Sequence, residues 1–336
     1  MEENYQINGF PADNVVSPIL RLGGSKLCII QFPHPGMESV PARAEQRQDP
    51  IVKGWNQGSH KRKFIKTKGQ IVDCNNQLTN KQDLLFWGEW EPTSWVERIT
   101  QYHGNGVQPK WLHKPFLNKN DINNTGTNCY GTKCNPMPCP NSYDNTDPFV
   151  FNDYFLYSLC RQVRKNKNGM RVPTQMQSLS QGSIILFGSA LSSPLPHFAL
   201  DTVFVVGESR KYSPCQYKKD LNGFIPKNYD MIMGFPNSQD QTQCTCYHGA
   251  TVNNPIGGMF SFVPCKPYPG YNLGFPRVML TSTHFAQFGN IIINSLSRNY
   301  HKTVLHDIRV CKDIWDELCK IVKQQGYERG VNFEYS

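Results

Sequence analysis

The sequence lacks the long apolar run that a membrane-spanning helix needs. No stretch approaches the roughly 20 apolar residues that cross a bilayer. The first ten residues are polar and carry two glutamates, without the apolar centre of a secretion signal. These absences predict a cytoplasmic protein with no membrane partner. Because cytosolic proteins rarely hold structural disulfides, the twelve cysteines are expected to be free thiols or metal ligands.

Signatures of several enzyme classes are missing as well. The sequence has no G-x-x-x-x-G-K-[ST] loop, no G-x-G-x-x-G fingerprint, no H-E-x-x-H helix motif and no G-x-S-x-G elbow. The H-x-E…P-C-x-x-C signature of zinc deaminases is also absent. These absences argue against P-loop ATPases, dinucleotide oxidoreductases, metalloproteases of that type and α/β-hydrolases.

Acidic residues are absent from three long windows of a chain whose formal net charge is +9. The windows are 50–72, 154–200 and 241–306. A surface formed by such a window suits phosphate groups, because it has no carboxylate that would repel the phosphates. Aromatic side chains nearby can stack on bases, and amide side chains can form hydrogen bonds with them. The pattern predicts a nucleic-acid partner, and a solvated basic face is the alternative. The cations of the first two windows are Lys53, Lys61, Arg62, Lys63, Lys66, Lys68, Arg161, Arg164, Lys165, Lys167 and Arg171.

Local patterns predict an α+β fold. The 26 glycines and 24 prolines argue against an all-helical protein. Strands are predicted at Leu27–Ile30, Gly182–Ser189 and Thr202–Gly207, where apolar and β-branched residues cluster. Apolar residues spaced by three and four predict a C-terminal amphipathic helix. They are Val304, Ile308, Cys311, Trp315, Leu318 and Val322.

The expected architecture is a loop-rich mixed sheet with flanking helices. We expect one large domain over residues 1–336. A sub-boundary is allowed within 116–147, a stretch rich in Asn, Cys, Gly and Pro.

Two segments carry candidate chemistry. In a strand, Trp87, Glu89 and Glu91 would share a face, and an indole wall raises the pKa of a neighbouring carboxylate, as an acid/base pair requires. A sheet edge with exposed glutamates and packed tryptophans is the alternative.

The second segment, Asp144–Tyr154, follows the long loop. It supplies the carboxylates of Asp147 and Asp153, the amide of Asn152 and the rings of Phe149, Phe151 and Tyr154. Such groups suit an extruded base and an oxocarbenium-like transition state. The alternative is that Asn152 or Asp153 caps a helix running through Cys160 and Arg161.

Cysteine and histidine spacing offers a weaker metal signal. Neither group matches the C-x2-C pairs of common zinc modules, so free thiols are the preferred interpretation and no cofactor is expected. The residues of the alternative zinc site are Cys129, Cys134, Cys139, Cys244, Cys246 and His248.

The stretches HKRKF, FWGEWE, DPFVF, GSIILFG and LDTVFVV, all within residues 60–206, together resemble a bacterial family of nucleotide-modification-associated domains from phage and phage-defence loci. The match covers under half of the chain. Gly182–Gly188 also resembles a strand of PUA-type barrels such as ASCH and EVE domains, which implies a PUA-like barrel core. Asp147-Pro148-Phe149 is similar to the Asp-Pro-Tyr turn of uracil-DNA glycosylases, without its flanking Gly-Gln and His.

The family resemblance implies action on DNA that carries modified bases. The leading hypothesis is a DNA glycosylase that removes a hypermodified base, such as glucosylated hydroxymethylcytosine, from phage DNA as antiviral defence. Asp147 or Glu89 would stabilise the sugar cation or activate water, and Asn152 would contact the base. The base pocket would consist of Trp87, Trp90, Phe149, Phe151 and Tyr154. The backbone contacts would be Lys61, Arg62, Lys63, Lys66, Arg161, Arg164 and Lys165.

Other functions remain open at this point. A reader would bind modified DNA without chemistry, and a base-modification enzyme would need a donor-binding motif that the sequence does not show. An interaction protein would carry its charge incidentally. The sequence gives no oligomeric state.

Overall fold

The computed structural model describes residues 26–33, 37–38, 61–91, 95–99, 111–115, 146–191, 195–227, 229, 242–270, 274–284, 301–305 and 307–335. Within these ranges the chain is rich in strands and has few helices. In chain order the strands are β1 (Cys28–Pro33), β2 (Met37–Glu38), β3 (Lys61–Val72), β4 (Gln82–Glu89), β5 (Trp95–Ile99), β6 (Trp111–Lys114), β7 (Leu156–Tyr157), β8 (Val163–Lys165), β9 (Arg171–Pro173), β10 (Ile184–Leu191), β11 (His197–Tyr212), β12 (Cys244–Gly249), β13 (Val263–Pro267), β14 (Val278–Leu280), β15 (His301–Val304) and β16 (Glu328–Val331). The α-helices are α1 (Tyr217–Asp220) and α2 (Ile308–Gln324), and Gln175–Gln177 and Pro214–Gln216 form 3-10 turns.

The first sheet is an open, mixed sheet. Its order is β15-β1-β10-β11-β12-β7, with β14 also paired to β11. β1 runs parallel to β10, with Ile30 opposite Ile185, and β10 runs antiparallel to β11. β1 and the first six residues of β10 are buried on both faces, and they are mostly apolar as such strands require. The strands predicted at 27–30, 182–189 and 202–207 therefore form the centre of this sheet.

The second sheet contains a small closed barrel of four strands. β3 pairs with β4, β4 with β13, β13 with β16, and β16 returns to the free edge of β3. The ring of Phe333 lies 4.2 Å from the ring of Phe86 on β4. A Cβ atom on Gly69 or Gly330 would come within 2.9 or 2.5 Å of that Phe333 ring. The glycines therefore let Phe333 fill the barrel.

Helix α2 packs one face against the core, as its sequence pattern predicts. The Asp307 carboxylate caps its first turn by accepting the Arg309 N–H at 2.8 Å. The indole N–H of Trp315 donates to the Phe260 carbonyl at 2.9 Å. The predicted helix began too early, because Val304 lies in β15, opposite Cys28. The buried face consists of Cys311, Ile314, Trp315, Leu318, Ile321 and Val322.

The predicted α+β class with a barrel-like core and a C-terminal amphipathic helix is confirmed. One contiguous cluster of buried side chains draws on both sheets and on α2. The segment in which a sub-boundary was allowed lies outside the described residues, apart from Thr146 and Asp147.

The helix predicted to start at Asn152 or Asp153 is wrong. The chain after Asp153 forms the short strand β7 and then a turn at 159–162. Asn152 itself adopts a positive φ of 57°, which interrupts any helix at that point. The Asp147 carboxylate accepts the backbone N–H groups of 158–160, and the residues that follow form a turn and not a helix.

Barrel closure predicts that Gly330 tolerates no side chain. In Gly330→Ala, the new methyl group would meet the Phe333 ring and, at 2.7 Å, the Cys265 sulfur. Overpacking of this kind lowers the free energy of unfolding by about 1–3 kcal/mol, which urea denaturation measures. Gly270→Ala is the control, because a Cβ atom there comes no closer than 3.9 Å to the Pro267 carbonyl oxygen. Equal stability of the two variants would contradict this account of the barrel.

Candidate functional site

A buried ion network joins the barrel to the open sheet. Arg62 on β3 and Glu89 on β4 are direct cross-strand partners. The Arg62 Nη1 atom lies 2.6 Å from Glu89 Oε2, and its Nε atom lies 2.8 Å from Asp201 Oδ2 on β11. Arg277 Nη1 approaches Asp201 Oδ1 at 3.3 Å and donates to Ser189 Oγ at 2.9 Å. We call Glu89, Arg62, Asp201 and Arg277 the buried ion network.

Mutual attraction favours the charged form of Arg62, whereas burial outweighs the nearby arginines at Asp201 and raises the pKa of that carboxyl. Burial by itself lowers the pKa of Arg62, but the carboxylates of Glu89 and Asp201 outweigh it and raise that pKa above its ordinary value. The Arg62 and Glu89 side chains are each only 1% exposed. Removing one partner from such a pair leaves an uncompensated charge inside the protein, which is strongly unfavourable.

Further ionisable side chains are buried on the same strands. Lys63 and Glu91 are at most 1% exposed, and His113 lies on β6 beside β3. Burial, reinforced by the charge of Lys63, lowers the pKa of His113 well below its ordinary value. Glu91 adds to the field that acts on Arg62. Buried ionisable groups in this number are costly, so their concentration marks a candidate functional site.

Asp147 is close enough to this site to be affected by the charge of Glu89, but both oxygens of its carboxylate already accept hydrogen bonds. Its carboxylate accepts the backbone N–H groups of Ser158, Leu159 and Cys160 at 2.9, 2.7 and 2.7 Å. Burial raises its pKa to about 6; the three N–H bonds oppose that shift and the charge of Glu89 adds to it. The carboxylate thus organises the turn that follows β7.

The two predicted catalytic segments lie side by side. The Glu91 N–H donates to Thr146 Oγ1 at 3.3 Å, and the rings of Trp90 and Phe151 are 4.9 Å apart. Glu89 acts electrostatically on Asp147, and both Glu89 and Glu91 act on Cys160. Asn152 bonds the Tyr335 hydroxyl, Asp153 is exposed, and Tyr154 packs edge-on against His248. The structure therefore groups Glu89, Glu91 and Asp147 but leaves Asp153 at the surface.

The predicted base pocket needs correction. Trp87 is 2% exposed, and Trp90, Phe149 and Phe151 are fully buried. Trp87 packs on Phe64 at 5.3 Å and donates its indole N–H to the Phe275 carbonyl at 2.7 Å. Phe149 and Phe151 lie 5.5 Å apart in a ring cluster that also holds Tyr335. These rings fill the core, and a base could enter only by displacing them.

The predicted phosphate contacts divide into buried and exposed groups. Arg62 and Lys63 are fully buried, so their assignment to the DNA backbone is wrong for this structure. Arg161 is half-buried, with its guanidinium 4.9 Å from the centre of the Phe32 ring. The Lys61 side chain lies outside the described residues. Lys66 is partly buried near Asp83 at 3.9 Å, whereas Arg164 and Lys165 are exposed.

The exposed cations of the second acid-free window lie on one hairpin. β8 pairs antiparallel with β9, and Arg164 is opposite Val172. Arg164, Lys165 and Lys167 are exposed and form no ion pair with a carboxylate of the described residues. Arg171 on β9 is exposed too. We call residues 163–173 the basic hairpin.

A second cationic feature is a cleft of about 340 Å³ beside β3. It holds Lys66, Lys68 and Lys114, but also Asp83 and Glu334. Lys81 forms an ion pair with Glu334 at its edge. Because carboxylates offset most of its positive charge, this cleft suits a polyanion less than the basic hairpin does.

Strand β12 contains the second group of residues of the alternative zinc site. Cys244, Cys246 and His248 alternate along the strand and so share a face. The His248 Nε2 atom is hydrogen-bonded to the Phe224 carbonyl, and its ring packs 4.0 Å from the Phe224 ring. Burial raises the pKa of the Cys246 thiol well above its ordinary value, which disfavours the thiolate that zinc requires. Cys129, Cys134 and Cys139 lie outside the described residues.

Sequence reasoning missed several residues of these sites. Asp201 and Arg277 complete the buried ion network, and His113 lies beside it. A lone charge within an apolar strand, as in Ala199-Leu200-Asp201, was the available signal, because such a charge must have a partner. Met170 of the basic hairpin was missed too, because its exposure at the hairpin tip became evident only from the fold.

The network predicts a large stability difference between two substitutions on one strand. Arg62→Met should lower the free energy of unfolding by about 3–5 kcal/mol, because Glu89 loses its partner inside the core. Lys66→Met, which breaks a half-exposed pair on β3, should cost below about 1 kcal/mol. Urea denaturation at pH 7 measures both. Equal losses of unfolding free energy in the two variants would show that the fold does not depend on the pairing of Arg62 with Glu89.

The raised pKa of Asp147 predicts a pH dependence of stability. Between the ordinary pKa of 3.8 and a value of about 6, the folded state binds more protons than the unfolded state. The free energy of unfolding therefore falls as pH rises through this window, by about 3 kcal/mol from this group. Urea denaturation from pH 4 to 7 should show that fall in the wild type relative to Asp147→Asn.

Asp73→Asn is the control for this measurement. Asp73 also accepts backbone N–H groups, from Asn75 and Gln77, but nearer the surface. Its substitution should leave the fall between pH 4 and 6 in place. Parallel curves for the wild type and Asp147→Asn would refute the assignment to Asp147.

Comparison with protein-family models, with characterised proteins and with solved structures finds no match for this chain. The family resemblance therefore stays a prediction. No helix of the described residues is long and apolar enough to cross a membrane. Within the same residues, no three His, Cys, Asp or Glu side chains are grouped so as to hold a metal ion.

Proposed function

We propose that the protein binds nucleic acid, with the basic hairpin as its principal contact. The observation that carries the proposal is the exposure of Arg164, Lys165 and Lys167 on one projecting ribbon without carboxylate partners among the described residues. Cations of this kind release counterions from a phosphate backbone when they bind it. Lys320 and Lys323 on α2 are, by contrast, paired with glutamates.

The hairpin is held rigidly at its base, which favours a binding role. The Gln162 side chain donates to the Thr245 carbonyl at 2.6 Å and accepts the Thr245 N–H at 2.7 Å. The Gln162 carbonyl accepts the Thr174 N–H at 2.8 Å. A preorganised ribbon loses less conformational entropy on binding than a flexible loop does. The cations therefore hold a fixed spacing relative to a partner.

Binding without chemistry is better supported than catalysis. The rings expected to accept a flipped base are packed together, and Asp147 already accepts three backbone N–H bonds. Recognition of a modified base in phage DNA, and with it antiviral defence, rests on the family resemblance. The primary proposal is thus a DNA-binding protein, and reading of a modification is its extension.

Base excision is the second candidate. The observation in its favour is the Asp147 carboxyl, whose pKa of about 6 lies near the range of a general acid or base at neutral pH. Glu89 and Glu91 lie close enough to act on it or on its neighbour Cys160. In this scheme Asp147 would activate water or stabilise the sugar cation after the core rings had moved.

Salt dependence tests the binding proposal. Binding of a 30-base-pair duplex should weaken steeply as salt rises. The double variant Arg164→Gln, Lys165→Gln should reduce the slope of log K against log salt by about 2, one for each lost phosphate contact. Fluorescence anisotropy at several salt concentrations measures it.

The matched control is Lys320→Gln, Lys323→Gln, which removes the same charge from α2. Its slope should stay close to the wild-type value, because both lysines already face carboxylates. Failure of the wild type to bind any duplex at low salt would refute the binding proposal. Equal effects of the two double variants would place the contact elsewhere.

Release of free base separates the two candidates. Phage DNA bearing glucosylated hydroxymethylcytosine and unmodified DNA are incubated with the protein. Released base is measured by mass spectrometry, and abasic sites by alkaline cleavage. Base excision predicts product from the modified DNA, lost in Glu89→Gln and Asp147→Asn variants that still bind DNA and still unfold cooperatively. Binding without product supports the non-catalytic function.

A further inference from the structure

The tip of the basic hairpin is a short turn held by several hydrogen bonds. Asn166 and Met170 bracket it, and the Asn166 N–H donates to the Met170 carbonyl at 2.8 Å. The Asn166 side-chain oxygen accepts the N–H groups of Asn168 and Met170, each at 2.9 Å. Gly169 has a φ of +76°, which glycine adopts without the strain that a Cβ atom causes. The tip therefore has one defined shape.

This turn presents a large apolar side chain to solvent. Met170 is 58% exposed, although it lies between the cations Lys167 and Arg171 in a surface otherwise polar. Burial of a methionine side chain contributes about 1.5–3 kcal/mol relative to exposure. Met170 lies at the tip of the hairpin and not on a strand that faces the core. A partner that buries its side chain would therefore gain this free energy.

We propose that the tip of the basic hairpin enters the minor groove of duplex DNA and that Met170 inserts between neighbouring base pairs. This inference rests on the proposed nucleic-acid binding and adds the form of nucleic acid and the mode of contact. Two-stranded ribbons occur as groove-binding elements. Apolar wedges, methionine among them, unstack base steps from the minor groove and bend the duplex.

Charge and shape on the hairpin suit this arrangement. The minor groove is about 6 Å wide before a wedge opens it, and strand axes in a ribbon are already about 4.8 Å apart without their side chains. Only the turn at the tip of the hairpin would therefore enter the groove, while the strands stay outside it. Arg164 and Lys165 lie on β8, and Lys167 lies at the tip. These cations would reach the phosphates that border the groove, and Met170 would meet the base-pair edges. No carboxylate within residues 154–200 opposes the approach.

Duplex distortion tests the inference. A 30-base-pair duplex carries 2-aminopurine at its centre and a donor–acceptor dye pair at its ends. Wild-type binding should raise the 2-aminopurine fluorescence, which reports unstacking, and the energy transfer, which reports bending. Met170→Ala should lose both signals and weaken binding by about tenfold, the scale of one lost apolar contact. Its salt slope should stay unchanged, because no phosphate contact is removed.

Two further variants serve as controls. Met170→Leu keeps an apolar wedge of similar size and should retain both signals. Leu195→Ala truncates another exposed apolar residue, 62% exposed, and should behave as the wild type. Signals that survive in Met170→Ala, or equal binding of single-stranded DNA without distortion of the duplex, would overturn the inference. The binding proposal would still stand in those cases, whereas both would fail if the wild type bound no nucleic acid.

Discussion

Arg62 is a guanidinium with no access to water, held between a carboxylate of the barrel and a carboxylate of the open sheet. A charge in that position requires both partners, because the effective cost of burying an unpaired ion is several kcal/mol. Glu89 must therefore lie opposite Arg62 on β4, and Asp201 must approach from β11. The requirement fixes how the barrel wall meets the open sheet. Arg277, which reaches Asp201 and Ser189, extends the same constraint to the segment before β14.

The buried ion network leaves the balance of surface charge nearly unchanged. Glu89 and Asp201 pair with Arg62 and Arg277, which are buried as well, so these pairs remove charges of both signs from the surface. The basic hairpin owes its charge to its place in an acid-free window of the sequence. Arg164, Lys165 and Lys167 on it form no ion pair with a carboxylate of the described residues, so their field is not offset by such a partner.

Sequence patterns predicted the parts of the fold that depend on local periodicity. The apolar run at 184–187, the β-branched run at 202–206 and the helix through Trp315 needed only their own residues to be recognised. Closure of the barrel could not be predicted, because β16 and β3 are more than 250 residues apart and no local signal records their pairing. The sequence also could not predict that the Asp147 carboxylate binds backbone N–H groups. A carboxylate before an aromatic run looks the same whether it faces a substrate or three backbone N–H groups.

For the same reason, the sequence could not reliably distinguish buried cations from exposed ones. Arg62 and Arg164 both lie in acid-free windows, and the sequence distinguishes them only weakly. Arg62 lies two residues before the apolar pair Phe64-Ile65, whereas Arg164 precedes the polar turn Asn166–Gly169. Tertiary structure buries the first and exposes the second. Long-range pairing, rather than composition, decides which charge can meet a partner molecule.

The barrel is completed by a strand that follows the others by a long stretch of chain. β3 and β4 are synthesised early, but the gap between β3 and β13 is filled by β16. Until residues 328–331 have left the ribosome, both of those strands keep an unpaired edge, a known template for pairing with other chains. We therefore expect the nascent protein to be vulnerable to aggregation until β16 has emerged, and to depend on chaperones that cover open strand edges. A circular permutant that places β16 ahead of β3 would shorten that period.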